Sequence, residues 1–265
     1  MRYKIDLIPL AVVTGCFGLS LATLFVALPV PVLVGIFLLA VFLRNPTLCA
    51  QHNHSHLSMF RQAPLNFFYD LLLAQTTGYG TPEWELQHNR GHHSHYLDPH
   101  QDIAGSVDRD GSTMNLIYYI WQGYWRIFPD ARTIALREHE LGHPRMLRRL
   151  WLHTGVQLVL TGLWLSLNPL MALIYFVLPN LVIGRMMVWW GSYWHHFEVP
   201  RNDVYDGCRT EPGRIFNLIS FNSGYHTAHH EKPALHWSLL PARDDAIRER
   251  IPAGCLVQDM ARTGV

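Results

Sequence analysis

Three short stretches of this chain carry histidines at spacings that bring rings together on a helix. They are His52-Asn-His54-Ser-His56, His88-Asn-Arg-Gly-His92-His93 and His226-Thr-Ala-His229-His230. Residues three or four apart share a helical face, so His52 with His56, His88 with His92, and His226 with His229 or His230 can aim imidazoles at one point. His54 falls off the face shared by His52 and His56, and His93 stands one step round from His92. A fourth pair, His195-His196, follows further along the chain. Imidazole is a good ligand for iron, zinc and copper. The three boxes with one more histidine offer eight or nine ligands, more than the four that a tetrahedral zinc takes. Such a set suits two metals with open positions. The repeated positions of the boxes are histidine and not carboxylate, so the ligands would be nearly all histidine. A histidine-rich solvated tract that scavenges metal is the bland alternative, and three boxes predicted on one side of a membrane argue against it.

The elements that position these boxes are apolar helices. Leu7 to Leu43 holds no charged side chain, room for nearly two spans of about 20 residues. Pro29 and Pro31 interrupt it with a turn. Spans are expected at about 6–28 and 31–50, the second running past Arg44 into water. A second apolar block, Trp151 to Trp194, breaks at Asn168-Pro169 and predicts spans at about 151–167 and 170–194. Arg185 inside the last one must snorkel or line a polar cavity. The expected fold is all-α, with four transmembrane helices in two hairpins and a helical cap from about 51–150 and 195–265, forming a single domain over 1–265. Arginines cluster between the hairpins and the outer turns have no Lys or Arg, so the positive-inside rule puts the cap and both termini in the cytoplasm. Sixteen of the 17 histidines fall in the cap regions, His153 being the exception. Pro64–Thr77 and Met114–Phe128 are amphipathic and aromatic, and are expected on the membrane surface.

Other features bound the function. A net charge of +1 gives no footprint for nucleic acid. Cys16, Cys49, Cys208 and Cys255 are scattered without a CxxC pair and read as unpaired thiols. The N-terminal apolar stretch outruns a signal h-region and reads as a membrane anchor. One motif competes with the boxes: His139-Glu140-Leu141-Gly142-His143 fits the HExxH pattern of zinc metalloproteases, in which Glu140 would activate water. Arginines surround it, Pro144 pushes position 143 out of helical geometry, and no third ligand follows at a usual spacing. A basic surface helix leading into the third span is the simpler reading.

The pattern HxxxH, HxxxHH and HxxHH, with two boxes between the hairpins and one after them, resembles the membrane fatty-acid desaturase and hydroxylase superfamily. Asn222-Ser-Gly-Tyr-His226-Thr-Ala-His229-His230 looks like that family's third box, and the resemblance covers roughly Leu7 to Pro241. It implies four spans under a cytoplasmic cap that holds two iron ions above a substrate tunnel. The metal ligands it carries over are His52, His56, His88, His92, His93, His226, His229 and His230, with one more histidine after the fourth span, His196 in preference to His195. His195, His236 and Asn222 stand as additional ligands or partners of ligands, and Asp98, Asp102 and Glu198 as carboxylates able to orient a ring.

The implied reaction is O2-dependent oxidation of an unactivated C–H bond in a fatty-acyl or other lipid-like chain, free or carrier-bound, by desaturation or hydroxylation. Carotenoid hydroxylation or ketolation and oxidative decarboxylation are the variants within the class. No CxxC iron–sulfur spacing, GxGxxG fingerprint or haem motif is present, so electrons are expected from an external ferredoxin, rubredoxin or cytochrome. Trp189, Trp190, Tyr193 and Trp194 are expected either to line the substrate's entry or to form an interfacial aromatic belt.

Overall fold

The structure is a computed structural model that describes residues 1–108 and 110–257; the last residues of the expected 195–265 cap region lie outside them. The described residues form helices and two isolated bridge pairs, Val107 with Thr113 and Thr210 with Leu256, and no strand. They fall into two compact units, one of Met1–Trp84 with Ala135–Met187 and one of Glu85–Ile134 with Val188–Val265.

The first unit begins with α1 (Leu7–Phe25) and α2 (Val30–His56), which pack along each other. Val26 is extended, and Pro29 with Pro31 starts α2, because the proline ring presets a helical φ where no N–H bond is needed. α3 (Ala63–Thr77) ends at Gly78, whose φ of +83° is the left-handed cap that glycine adopts without penalty. α4 (Thr81–Trp84) follows. α5 (Leu116–Glu140) leads to α6 (Arg145–Leu167). Asn168 then caps α7 (Pro169–Ala172), its side chain accepting from the Met171 N–H at 3.3 Å. Beyond α7 the helix loosens into π-turns at Leu173–Val177 and Pro179–Gly184 before α8 (Arg185–His196). Pro179 has no N–H to give, so the i→i−4 ladder cannot pass through it unchanged.

Four helical runs are long and apolar enough to cross a membrane: Lys4–Phe25, Val30–His56, Arg145–Leu167 and Pro169–His196. Only 33, 28, 11 and 28% of their apolar windows is buried within the protein, so most of that surface needs hydrocarbon around it. Leu38, Phe42, Leu158 and Val159 are among the exposed side chains. The helix ends differ from the expected 6–28, 31–50, 151–167 and 170–194. The second run continues six residues further and the third begins six earlier, because polar side chains extend a helix where apolar ones stop.

Arg44 departs from expectation. Arg44 does not mark the passage of α2 into water: it is 1% exposed, with Nη1 3.6 Å from Cys16 Sγ and Nη2 3.4 Å from the Tyr175 carbonyl. Arg185 pairs with buried Glu83 at 3.7 Å and lies over the Tyr79 ring. The core below them is aromatic, with Phe17 edge-on to both Trp164 and Phe176.

In the second unit, α9 (Arg214–Ile219), α10 (His226–Glu231) and α11 (Leu240–Ile247) are short. α10 packs on α11 through Ala228, Leu240 and Ile247, and Glu231 pairs with Arg243. α5 buries Tyr119 and Ile127 while exposing Ile117, Trp121 and Trp125. Trp189, Tyr193 and Trp194 are buried and Trp190 is exposed, so only Trp190 has the exposure that a belt residue needs. Cys16, Cys208 and Cys255 are buried and Cys49 is half-buried.

Close packing in the first unit turns on Gly184, where a Cβ would sit 2.2 Å from the Thr77 carbonyl oxygen. Gly184→Ala is therefore expected to cost about 1–3 kcal/mol, read as a lowered thermal midpoint in detergent. Gly155→Ala, whose Cβ meets nothing within 4 Å, should leave the midpoint unchanged or raise it.

Candidate metal centre

The second histidine box does not lie on an α-helix. Glu85–His92 is a π-turn, in which each N–H bonds five residues back instead of four, and the His93 N–H donates to the His88 carbonyl at 2.8 Å. The wider turn brings together residues five apart, so His88 and His93 meet with their Nε2 atoms 3.1 Å apart. This corrects the expectation that His88 pairs with His92. His92 turns its Nε2 to His196 instead, at 3.1 Å. The turn needs Gly91, since a Cβ there would sit 2.2 Å from Ile103 Cδ1.

The third box divides in the same way. On α10, His226 and His230 are one turn apart with Nε2 atoms at 3.2 Å, and His226 Nε2 is 3.1 Å from His196 Nε2. His229 points elsewhere and meets His93, Nε2 to Nε2, at 3.0 Å. Two sets of donors result within this unit. His88, His93 and His229 make one, and His92, His196 and His230 the other, with donor atoms of each set within 4.8 Å of one another; His226 joins the second through its two contacts. His52 and His56 occupy the last turns of α2 in the first unit, their ring centroids 5.1 Å apart and His52 beside Trp84.

Neighbours hold the second set in place. Asp102, 8% exposed, has Oδ1 2.8 Å from His92 Nδ1. The carboxylate accepts a hydrogen bond from that nitrogen, which leaves His92 Nε2 as a bare lone pair. His196 Nδ1 faces the Gly207 carbonyl at 3.4 Å, and Ser106 Oγ donates to the His196 carbonyl. Tyr96 covers His230 with ring centroids 4.1 Å apart; a Cβ on Gly207 would collide with the Tyr96 ring. Burial, first, and the surrounding imidazoles His93, His226, His196 and His92 hold His230 well below the usual histidine range, so it is a neutral donor.

This arrangement fits a cation. An imidazole Nε2 offers one position, either a proton or a lone pair, and the His92 and His196 Nε2 atoms face each other at 3.1 Å. As lone pairs, two nitrogens at that separation are reconciled by a positive ion between them. Two nitrogens each about 2.1 Å from one ion, at a right angle, stand roughly 3.0 Å apart, the separation seen along both sets.

The remaining sequence candidates sit outside these sets. His195 stacks on His226 at 4.0 Å and directs Nδ1 to the Arg209 carbonyl. His236 caps the following turn through Ser238, and Asn222 donates to the Trp237 carbonyl. His54, off the shared face, is held on both nitrogens, by Asp70 at 3.1 Å and by the Met59 N–H at 2.9 Å. Asp98 binds His100 and Gln101 in an exposed turn, and Glu198 is exposed. Asp102 is thus the carboxylate that orients a ring. The contribution of Tyr96 went unread in the sequence, although its spacing of four from His92 was the available signal.

The HExxH stretch forms a helix end. α5 stops at Glu140, Gly142 has φ +88°, and the Gly142 and His143 N–H groups fold back to the His139 and Glu138 carbonyls. This left-handed cap takes His143 off the helix, so His139 and His143 share no face, and residues 139–143 are exposed. The arginines that follow begin α6 itself.

Asp102→Ala is expected to weaken metal binding about 10–100-fold, measured by competition with a chelator on the purified protein. Glu140→Ala should bind metal as the unsubstituted chain does.

A family model described as fatty acid desaturase matches residues 27–261, a span that includes all three boxes and His196. No curated protein and no solved structure matches the chain. With the family model covering nearly the whole length, the chain belongs to the fatty acid desaturase family.

Proposed function

We propose that this protein is a membrane-bound, O2-dependent di-iron oxidoreductase that desaturates or hydroxylates an unactivated position of a fatty-acyl or similar chain. Membership of the desaturase family makes it an oxidoreductase acting on lipid. The observation that carries the finer reading is the pair of histidine sets whose Nε2 atoms converge at 3.0–3.2 Å. Two sets call for two ions, and all-imidazole coordination with open positions suits iron that must also meet O2. Within this reading His88, His93 and His229 hold one ion, with His52 and His56 assigned to it by the box spacing. His92, His196, His226 and His230 hold the other.

When bound, the irons supply the reduction of O2 and the power to take hydrogen from a methylene. Desaturation uses O2, two electrons and two protons to remove two hydrogens from neighbouring carbons, giving an alkene and two waters. Hydroxylation with the same inputs gives an alcohol and one water. The chain's own residues keep that chemistry directed. Asp102 holds the His92 Nδ1 proton, so the opposite nitrogen stays a donor through turnover. Burial of His92, His196, His226, His229 and His230 excludes bulk water from them, and it holds His196 and His230 well below the usual histidine range.

The four spans are read as two hairpins that leave both polar regions and both termini in the cytoplasm, with α3 and α5 at the lipid surface. Electrons come from a separate ferredoxin-, rubredoxin- or cytochrome-type donor. Arg145 and Arg148, exposed on the first turn of α6, and half-buried Arg149 form a basic patch able to steer an acidic partner. Charge reversal at all three should slow turnover with a reduced donor at low salt, and unchanged kinetics would remove the patch from the donor's path.

Elemental analysis and iron spectroscopy on detergent-purified protein test the central claim. Two irons per chain, magnetically coupled, are expected, with iron lost in His92→Ala and His229→Ala. One zinc and no iron would overturn it. Product analysis then separates alkene from alcohol, and either from a decarboxylated or carotenoid-derived product.

A further inference from the structure

The last turns of α2 carry histidines in two different settings. His52 and His56 are half-buried and share one face, while His54 between them is buried. His54 stands about 200° round the helix from each of them, on the opposite side. The final four carbonyls of a helix have no partner within it, so a helix end frays unless something outside holds it. A ligand pair at such an end needs that support, because ligands that lose their aim lose metal affinity.

The support comes from residues that the ligand spacing leaves over. His54 Nδ1 accepts from the Met59 N–H at 2.9 Å, so that nitrogen holds a lone pair and Nε2 carries the proton. Nε2 donates at 3.1 Å to Oδ1 of Asp70, a carboxylate buried on α3. The ring also stands edge-on to Tyr69, with centroids 4.9 Å apart. Gln51, fully buried, makes a second tie by donating to the Tyr79 carbonyl at 2.8 Å and accepting from Thr77 Oγ1 at 2.7 Å. Both ties run from α2 to α3 and the turn after it, inside the first unit. Arg149 reaches the other Asp70 oxygen only at 3.8 Å, with 40% of its side chain exposed, and a pair so long and so wet adds little.

We propose that Asp70 is a positioning residue for the first histidine box, acting through His54. It holds the back of the helix end so that His52 and His56 keep their aim at the ion assigned to them. What Asp70 contributes is a hydrogen-bond acceptor at a fixed place, not its charge. This role rests on the reading of the boxes as a di-iron centre, and it adds to that centre a residue beyond the ligands.

Chelator competition and iron spectroscopy on the detergent-purified, iron-loaded protein test the role. Asp70→Leu should release one iron about 10–100-fold more readily and keep the other, and the coupled signal of the pair should give way to that of a single iron. Asp102→Ala disturbs the second set, so the iron it leaves should differ spectroscopically from the one left in Asp70→Leu. Asp70→Asn keeps an oxygen for the His54 N–H and should hold both irons. Two substitutions at His54 repeat the comparison without touching Asp70. His54→Gln places an amide N–H near the position of Nε2 and should hold both irons. His54→Asn keeps only an acceptor near the position of Nδ1 and should behave as Asp70→Leu does. A lowered thermal midpoint in Asp70→Leu with both irons held as in wild type overturns the proposal and leaves Asp70 a structural role alone. Loss of both irons together, or Asp70→Asn failing as Asp70→Leu does, also overturns it. If Asp70→Leu does not fold, iron retention in His54→Asn equal to or above that in His54→Gln decides against it. Wild type is read first: without two irons the di-iron reading falls and this role with it, whereas two tightly held irons in both wild type and Asp70→Leu remove only this role.

Discussion

The second unit depends on bringing imidazole Nε2 atoms within 3.0–3.2 Å of one another. A neutral imidazole offers a metal one nitrogen, and that nitrogen must be stripped of its proton and aimed before the ion arrives. The chain does this by occupying the far side of the ring. Asp102 accepts a hydrogen bond from His92 Nδ1 and the Gly207 carbonyl faces His196 Nδ1. Burial removes the water that would otherwise protonate or solvate the cluster. Such a site is unfavourable when empty of charge, and its construction makes sense as a receptor for cations.

The π-turn at Glu85–His92 is the device that lets one short segment serve two sets. An α-helical box would direct His88 and His92 the same way. Five-residue bonding pairs His88 with His93 and frees His92 for the opposite side, and α10 repeats the division with ordinary helical spacing, His229 facing one set while His226 and His230 face the other. Adjacent histidines in HH are required for this reason, since neighbours on a helix point about a quarter-turn apart. The cost is a tight approach at Gly91 that no side chain could occupy.

The bilayer sets a second constraint, which explains where the polar groups of the first unit went. Apolar side chains that would be a liability in water line the outside of four helices, and the interior accepts arginine, glutamine and threonine. Gln51 bonds the Tyr79 carbonyl, Thr77 bonds Gln51, and the Trp164 indole bonds Gln75. In hydrocarbon such groups need partners inside the protein. The fourth span tolerates Pro179 and two π-turns because neighbouring helices supply those partners, Asn180 donating to the Gln75 carbonyl.

Much of this was legible from residue order alone. Long apolar runs must be helices in lipid, because no other open structure satisfies its backbone there, and so Leu7–Leu43 and Trp151–Trp194 announced four spans. Histidines at three- and four-residue spacing marked the boxes, which lie at the end of α2, at the π-turn and on α10, with His196 at the end of α8. Sequence could not divide them into sets, since that depends on helical pitch, and the second box is wound as a π-turn and not as an α-helix. It could not dismiss HExxH outright, because the left-handed turn at Gly142 is a backbone choice made among several open to glycine. Nor could it tell that Asp102, rather than Asp98 or Glu198, orients a ring, or that Arg44 is sealed inside the protein instead of reaching water. Spacing determines what a helix can bring together; which side chains meet across segments distant in the chain is decided by packing, and only the tertiary structure holds that information.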